Sequence, residues 1–153
     1  MVHHSDIDLD VSSGLRFHPV EILASMLYKI GIICLLGPAH MAVLTFEAIL
    51  NGMALFSHSN IKLPGKMDYS CRKLIVTPDM HRIHHSIEVS ETNSNYGFNL
   101  SVWDRILGTY KEEAIKAQPE IVIGIDAFRS PHELTFYKLL MMPKKYGKLT
   151  YVT

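Results

Sequence analysis

Apolar residues in this chain gather into two long blocks. Residues 20–38 read VEILASMLYKIGIICLLGP and residues 41–56 read MAVLTFEAILNGMALF. Each is close to the ~20 residues that an α-helix needs to cross a hydrocarbon core of ~30 Å. Glu21, Lys29 and Glu47 interrupt them, so the pattern fits two membrane helices partly shielded by protein, or two buried helices of a soluble bundle. The brief link Gly37-Pro38-Ala39-His40 favours the first, because consecutive apolar helices joined so closely form a transmembrane hairpin. The expected fold class is all-α: a helical integral membrane protein with a hairpin at about residues 20–37 and 41–57, carrying a histidine-rich helical cap.

The remaining pattern is shorter in period and more polar. A turn at Leu63-Pro64-Gly65 leads to a helix with a clear start, where Thr77 can cap, Pro78 suits the first position and Asp79 suits the first turn. Residues 91–97, ETNSNYG, read as a loop, and Glu120 to Ile125 is at most a short strand. Ser130-Pro131-His132-Glu133 has capping-box spacing and predicts a last helix with Leu134, Tyr137, Leu140 and Met141 on one face. That helix suits the membrane surface or the protein core about equally. Residues 1–110 are expected to form one domain, followed by a tail over 111–153.

Charge gives the hairpin a direction. Arg16 precedes the first apolar block, Lys62, Lys66, Arg72, Lys73 and Arg82 follow the second, and the link has neither Lys nor Arg. The positive-inside rule then places both outer ends, and the cap with them, in the cytoplasm. Fifteen basic and fifteen acidic residues balance to zero, which leaves no electrostatic footprint for nucleic acid. The two cysteines, Cys34 and Cys71, stand far apart and indicate no disulfide framework.

Nine histidines change the picture most. His81, His84 and His85 at i, i+3 and i+4 share one face of a helical turn, where the alternative is a polar face with incidental histidines. His3-His4 near the start and His58 just beyond the second apolar block are further candidate metal ligands, against a frayed terminus and an interfacial histidine. His18, His40 and His132 are isolated and read as structural or exposed. Asp6, Asp8 and Asp10 alternate with Ile7 and Leu9 and read as a solvated face, lacking the glycine and distal glutamate of an EF-hand. A site rich in imidazole and poor in thiolate suits iron, zinc, copper or nickel.

Six phrases carry a resemblance: His3-His4-Ser5-Asp6; Leu15-Arg16-Phe17-His18-Pro19; His58-Ser59-Asn60-Ile61 with Leu63-Pro64; Thr77 to Ser86, TPDMHRIHHS; Glu91 to Gly97; and Trp103-Asp104-Arg105 with Gly108-Thr109-Tyr110. In this order they resemble the fatty acid hydroxylase/sterol desaturase superfamily, most of all its bacterial sterol desaturase-like members. The resemblance implies a membrane enzyme with a non-haem di-iron centre that activates O2 to hydroxylate or desaturate a lipid. It strengthens His3, His4 and His58 as ligands beside His81, His84 and His85. Neighbours such as Asp6, Asp79 or Asn95 are expected to hold the ring N–H groups that face away from the metal. Electrons are expected from cytochrome b5, ferredoxin or a reductase, and the substrate from the bilayer.

Members of the superfamily also carry an earlier box of two histidines and a second box His-x-x-His-His. Here that second box begins at His3-His4, without its leading histidine. The expectation is of a chain truncated at its N-terminus and inactive as an oxygenase on its own. Two other classes stand beside the oxygenase. A non-catalytic membrane metal-binding protein or remnant is one; a zinc-dependent membrane hydrolase with Glu88 or Glu91 as base is the other.

Overall fold

Residues 2–146 are described by the computed structural model; Met1 and residues 147–153 of the expected tail lie outside the described residues. Helix α1 (Pro19–Leu36) starts where the sequence supplies a cap. His18 Nδ1 accepts from the Val20 N–H, the Glu21 carboxylate takes the His18 N–H at 3.1 Å, and Pro19 fills the first position. It stops at Gly37, whose N–H bonds to the Ile33 carbonyl. Helix α2 (His40–Ser57) follows at once. Both ranges fall within about a residue of the expectation, and eighteen residues at ~1.5 Å each give ~27 Å, the depth of a hydrocarbon core.

The surroundings of α1 are not those of a helix buried in this chain. None of its residues is buried in protein, and Leu27 and Leu35 are 70% and 79% exposed. Exposed apolar surface costs ~25 cal/mol per Å² in water, and a helix apolar on nearly every side calls for lipid or further protein around it. Both helices are long and apolar enough to cross a membrane. A cleft of about 340 Å³ lies between them, lined by Ile32, Val43 and Phe46 among others. The Lys29 ammonium crosses it to the Glu47 carboxylate at 2.6 Å. Lys29 and Glu47, which read as interruptions in the sequence, are therefore partners.

The cap is assembled from short helices: α3 (Gly65–Cys71), α4 (Pro78–His84), α5 (Val89–Thr92) and α6 (Val102–Leu107). In α4, Thr77 Oγ1 accepts from the Met80 N–H and Pro78 sits in the first turn, as its sequence signals. Ile83 faces away from solvent and packs with Leu9, Ile121 and Ile123; Val2, Phe128 and Met142 form a second cluster. These two small cores bind the N-terminal segment, α4 and the residues beyond 110 to one another.

Several expectations change. Residues 120–125 form no strand; Ile123 makes one isolated bridge to Ser86, and the Gly124 N–H bonds to the His85 carbonyl. A single bridge satisfies the backbone where the segment crosses the end of α4. The expected last helix is broken. Pro131–Leu134 is a 3-10 turn, Thr135 is extended, and α7 (Phe136–Tyr146) begins only afterwards, with no capping bond from Ser130. Asp6 lies on no solvated face: it is buried, where it pairs with Arg16 at 3.1 Å and accepts from Ser13 Oγ at 2.7 Å. His18 is structural and His40 and His132 are exposed.

The Lys29–Glu47 pair yields a measurable consequence. Lys29→Met leaves a carboxylate without its cation between two apolar helices and is expected to lower stability in lipid vesicles by about 3 kcal/mol. Lys29→Met with Glu47→Leu should recover most of the loss. Denaturant titration of both variants measures the difference, and equal stability of the single and double variants counts against the pair.

Candidate metal centre

Three chain segments converge on one buried place. A 3-10 turn at His3–Ser5 presents His3 and His4, held by Ser5 Oγ on the Val2 carbonyl at 2.7 Å. The ion pair of Asp6 with Arg16 and the capped turn Val11–Leu15 fold this segment against the end of α2. His58 sits at the C-terminal end of α2. Helix α4 also packs against α2 and contributes His81 and His84 from its last turn, with His85 as its C-cap.

Nitrogen atoms, not ring faces, meet at the centre. His58 Nε2 lies 3.1 Å from His3 Nε2 and 3.0 Å from His81 Nε2, and His85 Nε2 lies 3.2 Å from His81 Nε2. Donor atoms from all four rings fall within 4.8 Å of one another. His4 stacks on His85 at 4.5 Å between ring centres and meets the edge of His84 at 4.6 Å. The six expected ligands thus form a tight group of four with a pair beside it. Ligands ~2.1 Å from one ion stand about 3.0–3.4 Å apart from their neighbours, so the donor spacing fits a metal.

Protonation follows from the neighbours. A carbonyl oxygen can only accept, so the 2.7 Å contact of His58 Nδ1 with the Ala54 carbonyl puts the proton of the neutral ring on Nδ1. The His84 Nδ1 contact with the Ser94 carbonyl, at 2.8 Å, does the same. In both rings Nε2 is left as a lone pair. Among the described residues, Nδ1 of His81 and of His85 is buried without a hydrogen-bond partner.

Burial is the first cause of every shift here. It lowers the pKa of His3 to about 4 and of His4 to about 2, with neighbouring histidines adding to the effect. It also lowers His58, His81, His84 and His85. At His84 the Ser94 and Thr92 backbone and the Asp104 charge oppose it. The cluster is therefore neutral near pH 7, the state in which imidazole binds metal.

Sequence comparison agrees with this geometry. Residues 1–109 match the fatty acid hydroxylase family. The chain belongs to that family. It is 35% identical over 114 residues to ornithine lipid hydroxylase OlsE of Rhizobium tropici, covering 71% of this chain and 32% of that protein. Alkylglycerol monooxygenases of Homo sapiens and Danio rerio are each 27% identical, over 90% and 75% of this chain and 29% and 25% of their own lengths. The chain thus spans a quarter to a third of the length of these curated relatives. No solved structure matches it.

In this fatty acid hydroxylase family member the side chains expected to orient the rings stand elsewhere. Asp6 is engaged with Ser13 and Arg16. Asn95 donates to the Met80 and Lys111 carbonyls and accepts from the Lys111 N–H. Asp79 is half-buried, and its own carbonyl accepts from Gln118. Backbone carbonyls of Ala54 and Ser94 orient His58 and His84 instead. Glu91, a possible hydrolase base, is buried with its carboxylate on the Ile115 N–H, and the close donor group consists of imidazoles alone.

Two further neighbours carry no side-chain signal of a metal site. Phe17 stacks on His3 at 4.8 Å, its plane within 4° of parallel. A Cβ at Gly14 would stand 3.2 Å from both the Ala54 carbonyl and His58 Nδ1, so glycine there lets the N-terminal segment close over the ring.

Acid should loosen the metal-free fold. Folded-state pKa values below 6.5 mean that the unfolded chain binds protons which the folded chain refuses. Stability is then full above about pH 6.5 and falls as the pH drops from 6.5 towards 4. Thermal unfolding of chelator-treated protein should show a lower midpoint at pH 5 than at pH 7, and a smaller fall in His3→Gln/His4→Gln. An unchanged wild-type midpoint contradicts the burial of neutral rings.

Proposed function

We propose that the six imidazoles bind two iron ions and serve the O2-dependent hydroxylation of an alkyl C–H bond in a membrane lipid. The observation that carries this reading is a buried cluster of neutral imidazoles, with ligand spacing, at the end of an apolar hairpin. Iron supplies the redox chemistry that cleaves O2. The reaction balances as R–H + O2 + two electrons + two protons giving R–OH + H2O, with the electrons from a partner such as cytochrome b5, ferredoxin or a reductase. The three relatives are named as a hydroxylase and two monooxygenases, which supports hydroxylation over desaturation.

The chain's own part is to hold and to exclude. His58 and His84 present fixed lone pairs, because their protons are held by carbonyls. Six imidazoles offer about three per ion. Because the chain spans about a third of its relatives' length, the turnover proposed is for this cluster together with the further histidines that the family resemblance implies. An alkyl chain in the bilayer approaches along α1 and α2, whose exposed surfaces are apolar. The basic residues flanking the hairpin support a cytoplasmic cluster.

Elemental analysis after anaerobic Fe(II) loading is expected to find iron near two per chain, lost in His81→Ala/His84→Ala/His85→Ala. Zinc near one per chain would speak for a hydrolase, and stoichiometric iron in the triple variant would sink the ligand assignment. In cells producing a version that also carries the further histidines, ¹⁸O from ¹⁸O2 should enter an alkyl chain of extracted lipid; lipids left unlabelled by that version overturn the reaction.

Orientation has its own test. With Cys34 and Cys71 replaced by Ser, a cysteine introduced at Ala39 should react with an impermeant maleimide from the non-cytoplasmic side. Reaction only from the cytoplasm inverts the proposed topology.

A further inference from the structure

Beneath His84 the chain makes a clasp for which the metal reading alone gives no role. Residues 94–97 must turn sharply after α5, and Asn95 does so at φ 51°, a left-handed conformation that Asn tolerates better than most residues. The Asn95 side chain, fully buried, spans from the Met80 carbonyl at 3.2 Å to the backbone of Lys111, with bonds of 2.9 and 2.8 Å. Its backbone N–H bonds to the Thr109 carbonyl at 2.9 Å. One side of the turn is thereby pinned.

Asp104 pins the other side. This carboxylate is 1% exposed, and a buried charge is stable only when its acceptors are filled. Oδ1 accepts from the Tyr96 N–H at 2.7 Å and from Thr109 Oγ1 at 2.7 Å; Oδ2 accepts from the Gly97 N–H at 2.8 Å. A Cβ at position 97 would stand 2.7 Å from Oδ2 and 2.7 Å from the Leu100 carbonyl. Only glycine lets the carboxylate come so close. Held between these two grips, the Ser94 carbonyl faces His84 Nδ1 at 2.8 Å, and the Tyr96 ring meets the His84 ring at 5.5 Å between centres.

We propose that Asp104 is a positioning residue for His84. By fixing the backbone at Tyr96 and Gly97 it fixes the direction of the Ser94 carbonyl, and so the orientation and tautomer of the imidazole. The proposal rests on the reading of the cluster as a metal site. Asp104 makes no hydrogen bond to a ligand; it acts on His84 through two peptide units and one hydrogen bond, beside a through-space effect of its charge that Thr109→Val leaves in place.

Because Asp104 acts through His84, the two residues must be coupled. The full chain in lipid nanodiscs is titrated with Co(II), a visible-absorbing probe for imidazole sites, for wild type, Asp104→Asn, His84→Ala and the double variant. Thermal unfolding is followed in parallel. Asp104→Asn is expected to weaken Co(II) binding by about tenfold or more and to change the visible bands. The double variant should bind no more weakly than His84→Ala alone.

A scaffold role without positioning would lower the unfolding temperature and leave the two effects additive. Additive effects, or unchanged affinity and bands in Asp104→Asn, overturn the proposal. Thr109→Val removes one of the three bonds and keeps the carboxylate. It should show the same non-additivity at smaller amplitude, and it carries the test if Asp104→Asn does not fold. If wild type takes up Co(II) and His84→Ala changes nothing, the fault lies in the assignment of His84 as a ligand. A wild type that takes up none removes the metal reading and this proposal together.

Discussion

Everything around the cap serves one constraint: imidazoles whose Nε2 atoms approach to 3.0–3.2 Å must stay uncharged. Protonation of two neighbours would place like charges in contact inside a largely buried region. The fold meets the constraint by burial from three directions. The N-terminal segment closes over His3 and His4, α2 delivers His58 at its end, and α4 supplies the rest from beneath. Phe17 on His3 and the close approach of Gly14 to His58 are packing solutions to the same demand. A set of neutral lone pairs collected in this way is what a metal ion requires.

The cluster's place on the hairpin ties chemistry to solvent. Helices α1 and α2 expose apolar side chains on nearly every side, while the cap hides its charges in specific bonds: Asp6 with Arg16, Asp68 with Arg72, and Asp104 with peptide N–H groups. Two physical regimes therefore meet at the end of α2. In one, lipid surrounds an apolar surface; in the other, polar groups exclude water by pairing. His58 stands at that boundary, so the cluster borders both regimes.

How the ligands are aimed depends on peptide groups more than on side chains. Carbonyls of Ala54 and Ser94 hold the two rings whose tautomers are fixed from outside the cluster. The carboxamide and carboxylate of Asn95 and Asp104 act one step further back, on the backbone that carries one of those carbonyls. Such an arrangement is stiff, because each added bond constrains a peptide plane and not a rotatable side chain.

Local features of the sequence determined the hairpin, the start of α4 and the shared face of His81, His84 and His85. An apolar run, a Gly-Pro link, a Thr-Pro cap and an i, i+3, i+4 spacing each act within a few residues, so the chain states them directly. Tertiary structure decided what lies between distant residues. Asp6 looked solvated beside Asp8 and Asp10 until Arg16 folded onto it. Residues 120–125 found one bridge to Ser86, just past α4, in place of a strand partner. The carbonyls that orient His58 and His84 were invisible for a plainer reason: every residue has one, and only the fold selects which of them faces a ring.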